Sequence, residues 1–591
     1  MAISEEHIEY IISAAIDLGT THSGFAFSMR HDFSRDPTQI NVKIWHDVNG
    51  GIPTYKAPTC VLFDEDQKFH SFGYQAEAKY LDLIDKENAS DWYFFKRFKM
   101  RLYDQKVSCD DLLLKETNRK TLSALKVFSE VIKYMKNELF NDCKKQLPDI
   151  TMSDIKWVLT VPAIWTDPAK SFMRSAAVQA GIDGRRLQLA LESEVAAILV
   201  KHLPIDKMVD SGEGLVFQCF AQGSKYLLVD AGGGTVDVAA HEVLQDGKIR
   251  EIYPSSGGNW GGTKVDEKFT SFIKEVVGID AMQEFEENYK DGVVELQKSF
   301  ENLKRSINQD MGDFATITIP VSLLESFNTT NPGKTLKNLK EVRLENGRTA
   351  NVLFTSNKLK FDSKTANRFF KHVLSKIMDH ISTLLKRERG RDIASIIMVG
   401  GFADSQALLH KVRLKFPNKR LIVPQDAAWA VLKGAVIFGH NPNLIKQRRS
   451  RYTYGVGVSR KFVEGLHDEE HKFTEDGMVR CNDIFDKHVE RDQLITVGEY
   501  QTDKSYGLLS SFGFQWGVYA SSSADPKYVT DKDCFKVGDL ILPNQQVDIS
   551  SKVRLQMSFS LTEIEVKLTY LKTKATTTLY LQFHSNHNAK N

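Results

Sequence analysis

An acid–glycine–threonine segment occurs twice in this chain, each time directly after a run of apolar residues. The first copy is Ile11 to Ile16 followed by Asp17-Leu-Gly-Thr-Thr, and the second is Tyr226 to Val229 followed by Asp230-Ala-Gly-Gly-Gly-Thr. A further apolar run follows each segment. Each segment is therefore predicted to be a tight turn between two strands, and the repetition indicates an internal duplication.

Helical patterns follow the repeated segments. Leu122, Leu125, Phe128, Ile132, Met135 and Leu139 are spaced at three and four residues, as on one face of a helix. Strands mixed with helices in two related halves predict a two-lobed α/β protein with a cleft between its lobes. We expect lobe I at about residues 12–220 and lobe II at about residues 224–440.

The pattern changes near residue 441. The polar, basic stretch 441–451, which contains Lys446-Gln-Arg-Arg-Ser-Arg451, is predicted to be an exposed linker. Beyond it, apolar residues alternate, as at Val553, Leu555 and Met557. Residues 452–591 are therefore predicted to form a smaller, β-rich C-terminal domain.

Composition excludes several classes of protein. The chain has 78 Lys plus Arg and 76 Asp plus Glu, so its net charge of +2 gives no field that attracts nucleic acid or an anionic membrane. The six cysteines form no CxxC pair, which argues against a zinc knuckle or a disulfide framework. The N-terminal apolar stretch is too short for a signal core or a membrane span. We expect a soluble, cytoplasmic protein.

The repeated turns suit a nucleotide site. Glycines allow backbone N–H groups to surround phosphate oxygens, threonine hydroxyls add donors, and the preceding carboxylate can hold Mg²⁺ directly or through water. One such turn could equally be an ordinary tight turn, whereas a facing pair would hold a triphosphate from both sides. Gly257-Gly-Asn-Trp-Gly-Gly-Thr-Lys264 is not a P-loop, because Lys followed by Ser or Thr does not come directly after the second glycine.

Seven motifs in order resemble the 70-kDa heat-shock chaperones of the actin and sugar-kinase superfamily of ATPases. They cover about residues 12 to 440 and are Ala15–Ser23, Phe95–Arg97, Trp157–Trp165, Leu191–Ala197, Leu228–Val238, Phe300–Arg305 and Ile397–Gly401. The short C-terminal part and the DxGGGTVD form of the second turn resemble the divergent heat shock 70 kDa protein 12A/12B-like branch. The resemblance implies an actin-like ATPase domain built from duplicated RNase H-like lobes.

The resemblance also implies a role for residues around the phosphates of ATP or ADP. Asp17 and Asp230 would organise Mg²⁺ through its water shell, and Lys96 would lie near the γ-phosphate and the attacking water. Glu192 and Asp237 would orient that water or the metal shell. The phosphates would lie against Gly19, Thr20, Thr21, Gly232, Gly233, Gly234 and Thr235. Without the resemblance, Lys96 would be read as part of a solvated basic face.

For the nucleoside, the resemblance implies that Glu301, Lys304 and Arg305 hold the ribose and sandwich the adenine. These three residues could also be simple ion pairs on a helix surface. The remaining residues of the implied nucleotide site are His22, Gly261, Gly262, Gly400, Gly401 and Asp426. His22, Phe402 and Asp404 depart from the residues usual in the family, which bears on nucleotide affinity and base preference.

Three functions are compatible with this sequence. The first is an Mg²⁺-dependent ATP-binding protein with slow ATPase activity, an atypical heat-shock-type chaperone. The second is a nucleotide-gated adaptor with negligible hydrolysis, which the basic linker and the missing helical lid favour. The third is a kinase for a small metabolite, which the chaperone-like segment Phe300–Arg305 argues against. In the first two, the C-terminal β domain would bind a protein client or partner. The sequence does not indicate an oligomeric state.

Overall fold

The computed structural model describes residues 10–48, 53–86, 89–103, 112–116, 120–203, 208–210, 220–308, 311–344, 347–475, 477–507, 515–541, 552–560, 563–580 and 582–583. Cys109 and Cys219 lie outside these ranges, and the described thiols of Cys60, Cys143, Cys481 and Cys534 are unpaired. No helix in these ranges combines the length and apolar character that crossing a membrane requires. The cytoplasmic location stays a prediction.

The N-terminal third of the chain contains a sheet flanked by helices. The strands of this part of the chain are β1 (Ile12–Leu18), β2 (His22–Met29), β3 (Asn41–Val42), β4 (Ala57–Pro58), β5 (Cys60–Phe63), β6 (Phe69–Phe72), β7 (Tyr93–Lys96), β8 (Leu113–Lys115), β9 (Thr121–Ser123), β10 (Ile155–Val161) and β11 (Leu187–Leu191). The sheet itself consists of β1 to β4, β10 and β11. Its helices are α1 (Arg30–Arg35), α2 (Tyr74–Asp85), α3 (Ala124–Gln146), α4 (Asp167–Gln179) and α5 (Glu192–His202). The predicted helix is α3, whose buried face includes Phe128, Ile132 and Met135. The prediction was wrong at Leu122, which lies in β9 before the helix begins.

Residues 208–449 contain a second sheet. The strands in this range of residues are β12 (Met208–Asp210), β13 (Lys225–Ala231), β14 (Val236–Val243), β15 (Ile249–Gly258), β16 (Phe314–Thr318), β17 (Glu341–Arg343), β18 (Thr349–Thr355), β19 (Lys358–Asp362), β20 (Ser395–Val399), β21 (Arg420–Pro424) and β22 (Ile445–Arg449). Its helices are α6 (Thr263–Val277), α7 (Ile279–Asn288), α8 (Lys290–Ser306), α9 (Val321–Thr330), α10 (Ser363–Lys386), α11 (Gln406–Lys415) and α12 (Ala430–His440).

The two sheets share one topology. In the first, β1 pairs antiparallel with β2 and parallel with β10, which pairs parallel with β11. In the second, β13 pairs antiparallel with β14 and parallel with β20, which pairs parallel with β21. The same strand–turn–strand unit therefore lies at the same position in both sheets, and the fold is of the mixed α/β class that the sequence predicts.

Helices α5 and α12 connect the sheets through one apolar core. This core contains Ala15 and Val158 from the first sheet and Leu228 and Ile397 from the second, with α5 and α12 between them. The helices cross at Gly434, where a Cβ atom would collide with the Val195 carbonyl. The close crossing brings the two repeated turns to the same side of the molecule.

In the described residues, the C-terminal part consists of β-strands and one short 3-10 helix, Glu469–His471. Its strands are β23 (Thr453–Lys461), β24 (Lys472–Glu475), β25 (Met478–Val489), β26 (Leu494–Thr496), β27 (Lys504–Gly507), β28 (Gln515–Ser521), β29 (Cys534–Ile541), β30 (Lys552–Ser560), β31 (Glu563–Tyr570), β32 (Thr576–Tyr580) and β33 (Gln582–Phe583). Val456 and Val518 of one sheet share a buried core with Leu555 and Val566 of another. The alternating residues of β30 are buried, as the strand prediction requires.

The expected exposed linker is instead part of the second sheet. Residues 445–449 form β22, which pairs parallel with β15 and antiparallel with β26. Arg448 donates from Nε and Nη2 to the Glu194 carboxylate at 2.6 and 2.5 Å. The prediction of exposure was wrong because the buried Glu194 pairs with Arg448 and strand β15 pairs with β22. Both partners are distant from this basic segment in the sequence.

We expect Arg448→Met to lower the free energy of unfolding by about 3 kcal/mol, because it leaves Glu194 as a buried charge without its partner. The Glu194 side chain is 2% exposed and that of Arg448 13%. Lys446→Met on the same strand is the matched control, since Lys446 pairs with Asp246 at the surface. Chemical denaturation followed by circular dichroism measures both. Equal losses in the two variants would contradict the assignment of a buried ion pair.

Candidate functional site

The two repeated turns face each other. The first turn (residues 19–21) joins β1 to β2, and the second turn (residues 232–235) joins β13 to β14. A Cβ atom at Gly233 would collide with the Thr21 side chain, and one at Gly234 with the Thr20 side chain. A Cβ atom therefore has no room at either glycine, and the two turns are in direct contact through the Thr20 and Thr21 side chains.

Four carboxylates, the acid cluster, lie beside these turns. Asp17 is in β1, Asp230 in β13 and Asp237 in β14, and Glu192 is the first residue of α5. All four residues are buried. Strand register fixes the relation between two of them, because Asp230 and Asp237 are directly opposite each other across the β13–β14 pair.

The charges of the acid cluster alter its pKa values. Burial is the largest of the effects that raise the pKa of Glu192 to about 7. The negative charges of Asp17 and Asp237 also raise this pKa, and the Lys99 ammonium offsets only part of the increase. Burial and the charges of Glu192, Asp237 and Asp17 raise the pKa of Asp230 well above its usual range. Burial also raises the pKa of Asp237. The cluster therefore carries more negative charge than its surroundings compensate.

Lys99, and not Lys96, reaches the acid cluster. Lys99 Nζ is 2.7 Å from Glu192 Oε1, and its side chain is 3% exposed. Lys96 Nζ instead lies 3.3 Å from Glu77 Oε1. Lys96 ends β7, whereas Lys99 lies in the single-turn helix Phe98–Leu102 that follows a positive φ of 51° at Arg97. The segment Lys96-Arg-Phe-Lys99 offered several cations, and the sequence pattern alone did not distinguish them.

Asp17 has two partners that the sequence analysis missed. Lys56 Nζ donates to Asp17 Oδ2 at 2.6 Å, and Thr160 Oγ1 donates to Asp17 Oδ1 at 2.7 Å. Burial alone would raise the pKa of Asp17, but the charges of Lys56 and Lys99 and these hydrogen bonds hold it below its usual value. The sequence marks Thr160 as unusual, because it is a polar residue within the apolar run 157–161. No comparable feature of the sequence marks Lys56.

The expected nucleoside residues lie on α8 and at the start of β2. Lys304 Nζ contacts Asp266 Oδ1 at 2.7 Å and Glu301 Oε2 at 2.5 Å. Arg305 Nε is 3.5 Å from Glu301 Oε1. Burial, opposed in part by the Glu301 charge, lowers the pKa of His22 to about 4, so the imidazole is neutral at neutral pH. The Glu301 charge on α8 therefore acts on the His22 imidazole of β2.

The remaining predicted glycines also approach the turns. Gly261 has no space for a Cβ atom, because the backbone of Gly233 and Gly234 lies against it. Gly400 has φ of +91°, and a Cβ there would collide with Asp230 Oδ1. The Gly400 N–H donates to the Ala427 carbonyl at 2.8 Å, next to Asp426. Asp426 Oδ2 accepts from Lys433 Nζ at 2.6 Å. A Cβ at Gly262 would face Lys304 and Phe402, and one at Gly401 would meet open space.

Comparison with known proteins identifies the family. A family model described as Hsp70 protein matches residues 93–340. Heat shock 70 kDa protein 12A of Mus musculus is 32% identical over 640 residues, covering 98% of this chain and 92% of that protein. Heat shock 70 kDa protein 12B of Homo sapiens is 31% identical over 647 residues, with coverage of 98% and 92%. This chain belongs to the Hsp70 family.

The resemblance to the 12A/12B branch is confirmed by these matches. The chaperone protein DnaK of Metamycoplasma hominis is more distant, at 23% identity over 372 residues that cover 61% of this chain and 54% of that protein. The Hsp70-family ATPase domain implies that this chain binds a nucleotide.

Hsp70-type nucleotide binding implies a magnesium ion, and the acid cluster fits one. The described residues contain no group of three or more His, Cys, Asp or Glu arranged to hold a metal by themselves. Asp17 and Asp230 are nevertheless hard oxygen donors next to the facing turns, and the raised pKa of Asp230 reflects a lack of positive charge there. Such a pair suits a magnesium ion that keeps its waters and is shared with phosphates.

We expect Glu192→Gln to stabilise the nucleotide-free protein at alkaline pH. The ordinary pKa of glutamate is 4.5, and the folded protein raises that of Glu192 to about 7. The folded state therefore holds this proton more tightly, and the free energy of unfolding falls as pH rises between these values and then stays low. Thermal unfolding should show the variant above wild type at about pH 8 and close to it at about pH 5.

Glu267→Gln, on the exposed face of α6, is the matched control and should leave the pH dependence of the melting temperature as in wild type. The melting temperatures of Glu192→Gln and wild type could instead differ by the same amount at both pH values. That result would show that burial does not raise the pKa of Glu192.

Proposed function

We propose that this protein binds ATP with Mg²⁺ and hydrolyses it slowly, as an atypical heat-shock-type chaperone. The observation that carries this proposal is the pair of facing glycine–threonine turns with the buried acid cluster beside them. Backbone N–H groups and hydroxyls from both sides suit the β- and γ-phosphates, and carboxylates suit the metal. Lobe I at 12–220, lobe II at 224–440 and a β domain at 452–591 stay our proposed division, with the linker shortened by strand β22.

In the proposed reaction, Thr20, Thr21 and Thr235 would donate to the phosphates, and Asp17 and Asp230 would hold the hydrated metal. Magnesium, when bound, supplies charge that offsets the negative charge of the phosphates. Lys99 takes the role expected of Lys96, since its ammonium lies against Glu192 in the buried cluster. Glu192 and Asp237 are the remaining carboxylates for orienting the attacking water, and Asp237 is held by the Ile164 N–H at 3.0 Å.

A chaperone role requires that the nucleotide state reach the C-terminal part. Arg451 donates to the carbonyls of Ala163 and Ile164 at 2.9 and 3.2 Å, and to that of Ser255 at 2.9 Å. The Ile164 N–H contacts Asp237 of the acid cluster. We propose that closure around the nucleotide moves this loop and thereby the β strands that follow Arg451, where a protein client or partner would bind.

Single-turnover hydrolysis of Mg-ATP by the full chain tests this function. We expect slow phosphate release, reduced about a hundredfold or more in Asp17→Asn and Asp230→Asn, because each removes charge next to the metal and phosphates. Asp142→Asn, on the outer part of α3, is the control and should keep wild-type turnover. Wild-type turnover in the Asp17 and Asp230 variants would refute the site.

Lys99→Met should lower single-turnover hydrolysis about a hundredfold, because it removes the buried ammonium beside Glu192. Lys96→Met is the matched control, three residues away, and should retain hydrolysis within about threefold because its ion pair with Glu77 lies outside the acid cluster. The opposite ranking of the two variants would return the role to Lys96.

A nucleotide-gated adaptor is the second candidate function. The observation that favours it is the raised pKa of Glu192, about 7, which leaves this carboxylate partly protonated at neutral pH and so a weaker group for orienting water. Tight ATP binding without phosphate release above background in the same experiment would establish the adaptor and exclude the ATPase.

A further inference from the structure

Lys56 reaches the acid cluster from a segment that the proposed mechanism does not use. It immediately precedes β4, which pairs with β2 through His22 opposite Pro58 and Ser23 opposite Ala57. This pairing carries Lys56 alongside the first turn. The side chain then ends at Asp17, where Nζ lies 2.6 Å from Oδ2.

A glycine provides the passage for the Lys56 side chain. Gly24 of β2 is directly opposite Asp17 of β1 in the antiparallel register. A Cβ atom at Gly24 would collide with the Tyr55 carbonyl and crowd Lys56 Cγ. Because residue 24 has no side chain, the Lys56 side chain passes over it and reaches Asp17 Oδ2.

The ammonium of Lys56 keeps hydrogen-bonding capacity. It has three N–H donors, and in the described part of the chain Asp17 Oδ2 is the acceptor of its one hydrogen bond. Its side chain is 17% exposed, compared with 5% for Asp17. Two donors therefore remain for oxygens of a ligand bound beside the turns, next to the carboxylate to which we assign the metal's water shell.

We propose that Lys56 is a phosphate-binding residue whose ammonium supplies positive charge beside Asp17, so that this protein binds adenine nucleotide with little dependence on Mg²⁺. The proposal rests on the nucleotide site proposed above. An ammonium that binds both Asp17 and a phosphate oxygen brings these two anionic groups together, as the metal shell would. When magnesium is present, it and Lys56 share the charge of the phosphates, and when it is removed Lys56 still holds them.

The alternative is that Lys56 serves only as a structural partner of Asp17. The two roles differ in one measurable quantity, the ratio of nucleotide affinity with Mg²⁺ to affinity without it. A structural partner changes stability, and changes both affinities by the same factor. Loss of a phosphate-binding ammonium lowers mainly the affinity measured without Mg²⁺. In the absence of the metal, Lys56 is the main positive charge beside Asp17 that contacts the phosphates.

The experiment measures ADP and ATP binding to the full chain by isothermal titration calorimetry, in excess Mg²⁺ and in EDTA. We expect wild type to lose less than about tenfold in affinity on chelation, and Lys56→Gln to lose about a hundredfold, the size of a charge-assisted contact. Lys56→Arg, which keeps the charge, should restore most of the affinity in EDTA. Lys43→Gln is the matched control, since Lys43 is a half-buried lysine paired with Glu138 and Asp142, and it should behave as wild type.

Equal losses on chelation in wild type and Lys56→Gln would overturn the proposal while leaving the nucleotide site intact. A wild-type protein that loses a hundredfold or more on chelation would overturn it as well. No binding by wild type even in excess Mg²⁺ would instead refute the proposed function, and the inference about Lys56 with it. Circular dichroism of each variant shows that a lost affinity does not come from unfolding.

Discussion

The burial of four carboxylates beside two glycine–threonine turns is the constraint on which the rest of this structure depends. Like charges in a buried space repel one another and lose hydration, so such a cluster is costly unless cations compensate it. The raised pKa values of Glu192 and Asp230 are the direct expression of this cost. The chain retains a destabilising arrangement here, as proteins do at sites whose purpose is to bind or react.

Compensation comes from segments outside the duplicated strands. Lys99 approaches Glu192 from a single-turn helix after β7, and Lys56 approaches Asp17 from the residue before β4. Asp237 accepts from the Ile164 N–H, in the loop whose carbonyls Arg451 binds. The acid cluster is thus connected both to the helical and strand segments around the first sheet and to the start of the C-terminal strands. A change in charge between the turns would act on each of these contacts.

Much of the site was predictable because its position follows from local rules. An acid at the end of a buried strand followed by glycines and threonines places Asp17 and Asp230 beside their turns, and the alternation of β30 and β31 is equally local. The side chains that come from elsewhere were harder to predict. Lys96 and Lys99 are only three residues apart, one at the end of β7 and the other in the single-turn helix after it, and the sequence does not show which of them reaches the acid cluster. Nothing near Lys56 in the sequence indicates that it contacts Asp17. The basic segment 441–451 looks like a linker by composition, and its strand β22 depends on β15 and Glu194, which are distant in sequence.

The central claim is that the phosphates of a nucleotide bind to both turns, and a crystal structure of the full chain with Mg²⁺ and a non-hydrolysable ATP analogue tests it most directly. The account predicts density for the phosphates in contact with both residues 19–21 and residues 232–235, the metal's water shell on Asp17 and Asp230, and the adenosine between His22 and α8. A nucleotide bound elsewhere, or phosphates that contact only one of the two turns, would contradict it.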